Sequence, residues 1–242
     1  MEVHAHSHTA RKKWTHYLWE FLMLFLAVFC GFLAEYQLEH TIEKQKGADY
    51  IKSMIEDLQN DTAKLSKVTV SLSQINKSID TIILYYNDIG TSTNQVLLRN
   101  LRAINGYPAF FYSDRTIQQL KNSGGMRLVK DKKAADGIME YDADIRHYEN
   151  NATYVLRYWE QLTAHRLNII DRQSLDNLIS NSADSKVEPG YLITNDPIAL
   201  RKLKNLIYEL QFYHRNTIRD NARLIDKATG LIETLKTQYH LQ

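Results

Sequence analysis

A long apolar segment near the N-terminus limits what this chain can fold into. Residues 21–34 form an unbroken apolar run of 14 residues. With the flanks from Tyr17 to Tyr36, the segment reaches the roughly 20 residues that a membrane-spanning helix needs. Trp14 and Trp19 lie at one end, where aromatic side chains gather at a membrane interface. The sequence therefore predicts an uncleaved membrane helix of the signal-anchor type.

Three other interpretations of this segment remain open. A cleaved signal peptide requires small residues at positions −3 and −1, whereas a cut after Ala34 places Phe32 at −3. A lipoprotein cut before Cys30 places the bulky Phe29 where a small residue is expected. A buried helix of a soluble core also has this length. We expect the anchor.

The charges beside the segment predict its orientation. Arg11, Lys12 and Lys13 precede it, and Glu35 and Glu39 follow it. Basic residues favour the cytoplasmic side of a membrane. We therefore expect a bacterial inner-membrane protein with a cytoplasmic N-terminus and a periplasmic C-terminal domain.

The composition predicts a folded exterior rather than a disordered one. Hydrophobic residues make up 44% of the chain, which includes 15 tyrosines. The 30 basic and 28 acidic residues leave a net charge of +2, too balanced to indicate a nucleic-acid partner. The only cysteine, Cys30, lies inside the predicted span, so no disulfide forms within one chain.

Apolar side chains recur at alternating spacings of three and four residues in three stretches, the pattern of a helical bundle or coiled coil. The first contains Ile51, Ile55, Leu58, Thr62, Leu65, Thr69, Leu72, Asn76, Ile79, Ile83 and Tyr86. The second contains Ile138, Tyr141, Ile145, Tyr148, Ala152, Val155, Trp159, Leu162, Arg166 and Ile169. The third contains Leu203, Leu206, Leu210, Tyr213, Thr217, Leu224, Ala228, Leu231 and Leu235. We call these stripes the three seams.

The ends of the long helices are predicted from local signals. The second helix is expected to run from near Asp131 to about Ile179. Asp196 followed by Pro197 is a strong start signal for the third, which we expect to end near Gln238. Gly47 is the expected weak point of the first.

Two short helices are predicted between the first and second seams. They cover Gln95–Ile104 and Thr116–Lys121, with Ser113 as the N-cap of the latter. Ser123-Gly124-Gly125 then ends a helix, because glycine adopts left-handed backbone at little cost. It lacks the lysine and the preceding strand of a phosphate loop.

These elements predict an all-α, single-pass protein. The N-terminal transmembrane helix continues into an antiparallel bundle or coiled-coil-like domain of long helices. The expected parts are a cytoplasmic His-rich basic tail (1–16), a transmembrane helix (17–36), a helical stalk (37–50) and a periplasmic helical bundle (51–242).

The N-terminal tail carries the most suggestive chemical pattern. His4, His6 and His8 alternate, so an extended chain places three imidazoles on one side, and imidazole suits Zn, Ni or Cu. A metal ion on this tail is one hypothesis. The other is a polar tail at the membrane surface, since an exposed tail has no outer groups to orient ligands.

Two other features are candidate sites. Glu20 is a carboxylate at the edge of the predicted span, where it reaches headgroups, pairs with a basic residue or mediates contact between helices. A ligand pocket or subunit contact is possible along the second seam, lined by Tyr141, Tyr148, Trp159 and Arg166, because tyrosine hydroxyls need partners and a charge on an apolar stripe needs a counter-charge.

Nothing in the sequence indicates catalysis or a cofactor. It has no nucleophile elbow, and its only thiol lies in the predicted bilayer. His147, His165 and His214 show no metal-ligand spacing, and we expect them at the surface or the bundle edge. We therefore expect no enzyme activity and no cofactor.

Residues 4–40 resemble the N-terminal signature of a family of small bacterial membrane proteins of uncharacterised activity. The resemblance rests on the His-rich tail, the RKKW cluster and the WEFLMLFLAV span. Residues 117–128 resemble a second, weaker pattern, a helix that ends in Ser-Gly. The resemblance implies an inner-membrane anchor with a periplasmic helical domain, and implies no activity.

The leading functional hypothesis is a membrane-anchored scaffold or interaction protein of the bacterial envelope. It would self-associate or dock on another envelope protein, with the seams as the contact. The alternative is a periplasmic ligand-sensing bundle. Its predicted cytoplasmic part is too short for an output domain, so it would act through a separate signalling partner.

Overall fold

The computed structural model describes residues 14–89, 94–104, 106–180 and 190–241. These ranges are all-α, as the sequence predicts. Their helices are α1 (Trp14–Leu84), α2 (Gln95–Ala103), α3 (Arg115–Asn122), α4 (Lys132–Leu167), α5 (Arg172–Ser180) and α6 (Pro197–Gln238). Short 3-10 helices cover Tyr86–Asp88 and Gly125–Leu128.

The chain divides into two compact units, residues 1–49 and 50–242. The described part of the first unit, residues 14–49, is helical throughout and belongs to α1. It holds one stretch that is long and apolar enough to cross a membrane. None of that apolar window is covered by the chain itself. The helix passes Gly47 without a break, because one glycine costs a long helix only about 1 kcal/mol.

In the second unit, α6 runs antiparallel to both other long helices. Its contacts with α4 include Lys227 Nζ to Asp144 Oδ2 at 2.7 Å and the rings of Tyr213 and Tyr158 at 4.6 Å. Higher residue numbers on α6 therefore meet lower ones on α4. The contacts of α6 with α1 have the same order, so α1 and α4 run parallel to each other. The connection between them returns along α1 through residues 106–114.

The core of this unit consists of two apolar clusters. One joins α1 around Ile51–Leu65 with α3, the first half of α4 and the end of α6. The other joins α1 around Ile79 and Ile82 with α2, α5, the second half of α4 and the start of α6. Between the clusters, α1 and α6 meet through polar side chains. We call this set the polar layer; it consists of Thr69, Asn76, Gln211, His214 and Asn221.

The three predicted seams form the interior of this unit. Ile138 and Leu162 on α4 are 0% and 1% exposed, and most other seam positions are also buried. The expectation that the seams provide a contact to another protein is therefore wrong, because helices of the same chain already cover them. Any partner must use the outer faces.

The predicted second helix is interrupted, so its expected end near Ile179 is wrong. α4 ends at Leu167, and α5 begins at Arg172. Between them, the backbone pairs with a later segment. Asp171 N donates to Tyr191 O, and Ile193 N donates to Ile169 O, both at 2.8 Å. These bonds replace those that a continuous helix would have made.

Candidate functional site

Two buried aspartates on α1 hold the returning segment in place. Asp57 and Asp61 are 4% and 1% exposed. Asp57 Oδ2 accepts bonds from the backbone N and the Oγ1 of Thr116, at 3.1 and 2.5 Å. Asp61 Oδ1 accepts a bond from Ser113 N at 2.7 Å. These bonds fix the start of α3 against α1.

The cap of α3 therefore comes from another helix, which corrects the prediction of Ser113. Asp114 occupies the position before the helix, and its side chain makes no capping bond. Asp57 supplies the carboxylate instead, at the positive end of the helix where an anion is stabilised.

Tyr141 completes this network. Its hydroxyl donates to Asp61 Oδ2 at 3.1 Å, and its ring is 2% exposed. Burial raises the pKa of Asp61, although the bonds from Ser113 and Tyr141 act in the opposite direction. Burial and the neighbouring Asp61 raise the pKa of Tyr141 far above its usual value.

A third buried acid, Asp142, is 2% exposed and lies beside Tyr141 on α4. Lys121 Nζ is 2.7 Å from its Oδ2, and Arg146 also donates to that oxygen. Because donors occupy the carboxylates of this region, we interpret it as a structural clamp. The sequence offered one signal: Asp61 lies three residues after Leu58 and four before Leu65, directly beside the first seam.

The structure does not bring the four predicted ligand residues together. Tyr141 and Tyr148 belong to the first apolar cluster, whereas Trp159 packs on the second. Positions 141 and 166 lie on the order of 37 Å apart along α4, at about 1.5 Å per residue. A single pocket lined by all four, as the sequence suggested, is therefore wrong.

The other three predicted ligand residues, Tyr148, Trp159 and Arg166, lie in separate surroundings. The Tyr148 ring meets Phe110 edge-on, with ring centroids 5.6 Å apart. Trp159 is half-buried, and its Nε1 has no hydrogen-bond partner in the described residues. Arg166 is 9% exposed, and burial lowers the pKa of its guanidinium. Its backbone carbonyl accepts bonds from Ile169 and Ile170 where α4 ends.

His214 is wholly buried, which corrects its predicted place at the surface or the bundle edge. Its Nδ1 lies 3.3 Å from Asn76 Oδ1, and its Nε2 has no partner in the described ranges. Desolvation lowers the pKa of His214 to about 4, so the ring is neutral at physiological pH. His147 is exposed and His165 is half-buried, as expected for those two.

A groove of about 630 Å³ opens between α4 and α6. Sequence reasoning missed it, because most of its lining residues lie outside the seams, although Val155, Tyr213 and Thr217 are seam positions. Its walls combine aromatic, amide and charged side chains. They come from Asn151, Tyr154, Val155, Phe212, Tyr213, Asn216, Thr217, Arg219, Asp220 and Arg223.

The remaining candidates concern the N-terminal part. His4, His6 and His8 lie outside the described residues. Within the described ranges, no group of three or more His, Cys, Asp or Glu side chains is placed to hold a metal ion. Glu20 is exposed, and its Oε1 lies 3.1 Å from His16 Nε2, one helical turn earlier.

Comparison of the chain with protein-family models, with curated proteins and with solved structures finds no match.

Proposed function

We propose that this protein is a single-pass, membrane-anchored helical interaction protein of the bacterial envelope. One observation carries the proposal: the apolar window of α1 is 0% buried. Phe21, Leu24 and Phe32 are each more than 60% exposed. A stretch of this length in water would cost several tens of kcal/mol at about 25 cal/mol per Å² of apolar surface. A bilayer removes that cost.

The proposed orientation rests on the charges in the sequence. The basic cluster at positions 11–13 precedes the span, and acidic residues follow it. This asymmetry favours a cytoplasmic N-terminus in the inner membrane, with the bundle in the periplasm.

A role in protein contact is supported by exposed apolar side chains at one end of the bundle. Leu167, Ile193 and Ile198 are 55%, 60% and 78% exposed. Hydrogen bonds tie their segments together, because Ile193 N donates to Ile169 O and His165 Nε2 lies 2.9 Å from Ala199 O. Self-association or docking on another envelope protein would cover them.

The anchor is tested by a matched pair of arginine substitutions. Leu24→Arg places a charge in the span, at a cost of about 2.5–3.5 kcal/mol to insertion. Val70→Arg is the control, because Val70 is a 58%-exposed apolar residue of α1 within the second unit. Wild type and Val70→Arg should resist alkaline extraction from membranes, and Leu24→Arg should be released in part. Full-length wild type in the aqueous fraction would overturn the anchor.

The interaction role is tested at endogenous expression level. The protein, solubilised in a mild nonionic detergent, should migrate as an oligomer or co-purify with a stoichiometric partner. A monomer without a partner, from membranes that retain the protein, would contradict the interaction role and leave the anchor standing.

A further inference from the structure

We propose that the groove between α4 and α6 binds a small organic carboxylate with an aromatic body. The inference goes beyond the proposed interaction role, and it requires neither self-association nor a particular orientation in the membrane. It would give the sensing hypothesis a binding site different from the one that the sequence suggested.

The apolar part of the site is aromatic. Tyr154 on α4 and Phe212 on α6 are 59% and 57% exposed. The Phe212 and Tyr213 rings meet edge-on at 5.7 Å, and the Tyr213 ring lies 4.6 Å from that of Tyr158. Neighbouring rings therefore hold Tyr213 in place. Aromatic pairs prefer such edge-on and offset contacts, which a planar ligand ring between these walls would extend.

The charged part of the site favours an anion. Arg219 and Arg223 lie four residues apart on α6, so they are neighbours on one helix face. Arg219 donates to Asn216, and Arg223 makes no ion pair within the described residues. Asp220 is the one carboxylate of the lining, so the groove has one net positive charge. Guanidinium forks match carboxylate geometry better than other cations do.

The lining of the groove includes one nearly buried polar side chain, which lies next to the polar layer along α6. Thr217 lines the groove and is 8% exposed. His214 and Asn221 lie one turn before and after it on the same face of α6. Both are wholly buried, and His214 Nε2 and Asn221 Oδ1 have no partner in the described structure. Such atoms need a hydrogen-bond partner such as water, since an unsatisfied buried polar group costs about 1–3 kcal/mol.

The size fits the same class of ligand. The volume of about 630 Å³ lies within the range of small-molecule pockets, roughly 300–1,000 Å³. Some other charges of the bundle are paired: Lys227 contacts Glu140 and Asp144, and Arg215 contacts Asp80. The two groove arginines differ from these side chains because they have no acidic partner among the residues that the structure describes.

The binding test uses the full chain in nonionic detergent micelles and isothermal titration calorimetry, with titration into empty micelles as the background. Three probes separate the requirement for an aromatic ring from the requirement for a carboxylate. 3-Phenylpropionate has both the ring and the carboxylate, propionate lacks the ring, and 2-phenylethylamine replaces the carboxylate by a cation. Saturable binding of 3-phenylpropionate alone is the expected result.

Matched arginine variants test the location. Arg223→Gln and Arg219→Gln should each weaken 3-phenylpropionate binding at least about tenfold, since a hydrogen bond to a charged group is lost. Arg99→Gln is the control, because Arg99 is an exposed arginine of α2 away from the groove. All three variants should unfold at the wild-type temperature.

Several outcomes would overturn the proposal. One is an absence of saturable 3-phenylpropionate binding in the wild type. Another is equal binding of 2-phenylethylamine, which would show that the ring alone is recognised. A third is equal weakening in all three arginine variants, which would indicate a general charge effect and not this groove.

Discussion

The hydroxyl of Tyr141 on α4 donates a hydrogen bond to the carboxylate of Asp61 on α1, at 3.1 Å, inside the first apolar cluster. The two residues are 80 positions apart in the sequence. Their bond joins the parallel helices α1 and α4, which the first apolar cluster also brings together. A buried carboxylate needs such donors, because desolvation otherwise opposes its charge.

Removing that donor should destabilise the bundle. Tyr141→Phe keeps the ring and leaves Asp61 with one hydrogen bond fewer, so we expect the free energy of unfolding to fall by about 1–3 kcal/mol. Urea unfolding of the solubilised protein measures this loss. Tyr154→Phe removes an exposed hydroxyl of the same helix and should change stability by no more than about 0.5 kcal/mol. Equal effects would mean that the Tyr141–Asp61 bond contributes nothing.

The cap of α3 should depend on α1. Asp57→Ala removes the acceptor of both Thr116 bonds, and we expect a loss of about 2 kcal/mol. Hydrogen exchange should also become faster in residues 113–122. Asp114→Ala changes the residue directly before α3, whose side chain makes no capping bond, and should leave both measurements nearly unchanged. The reverse ranking would show that α3 is capped locally.

His214 should make the bundle sensitive to acid. Its pKa falls from 6.5 in the unfolded chain to about 4 in the folded one. The unfolded state therefore binds the proton first, and stability present above pH 6.5 is lost as the pH falls towards 4. The free energy of unfolding is expected to fall by up to about 3 kcal/mol over this range. Asn76 is the polar group facing the ring, from α1.

Unfolding in urea at several pH values between 7.5 and 4 measures the slope of the free energy of unfolding against pH. His214→Gln should flatten it over that interval, whereas His147→Gln, at an exposed position of α4, should keep it. A wild-type slope in both variants would show that other groups cause the acid sensitivity.

Two glycines should respond to alanine in opposite directions. Gly124 has a φ of +66°, a left-handed backbone, so Gly124→Ala should cost about 1–2 kcal/mol. Gly230 lies inside α6 with open space around it, so Gly230→Ala should stabilise the folded protein by about 0.5–1 kcal/mol. Thermal unfolding compares the two. A shift in the same direction for both would contradict this assignment of the helix stop after α3.

Much of the helical pattern could be read from local signals. Asp196 caps α6 through bonds to Ile198 N and Ala199 N, and Pro197 opens the helix, as predicted. The end at Gln238 is also confirmed. Such signals succeed because capping and proline geometry involve only neighbouring residues.

The break after Leu167 could not be read in this way. Positions 168–171 hold neither proline nor glycine, and the second seam continues to Ile169. The backbone leaves the helix because Tyr191 and Ile193 offer alternative partners. Those partners are some twenty residues further along the chain, so no local pattern contains them.

The sequence by itself determined the helical character of the chain, the apolar faces of its long helices and the apolar stretch between Tyr17 and Tyr36, because spacing and hydrophobicity are properties of the local chain. Only the tertiary structure decided which polar groups are interior. Asp61 and His214 are polar, and they become interior only when other helices pack over them. Burial then depends on how distant segments pack, and packing sets both the buried network and the groove between α4 and α6.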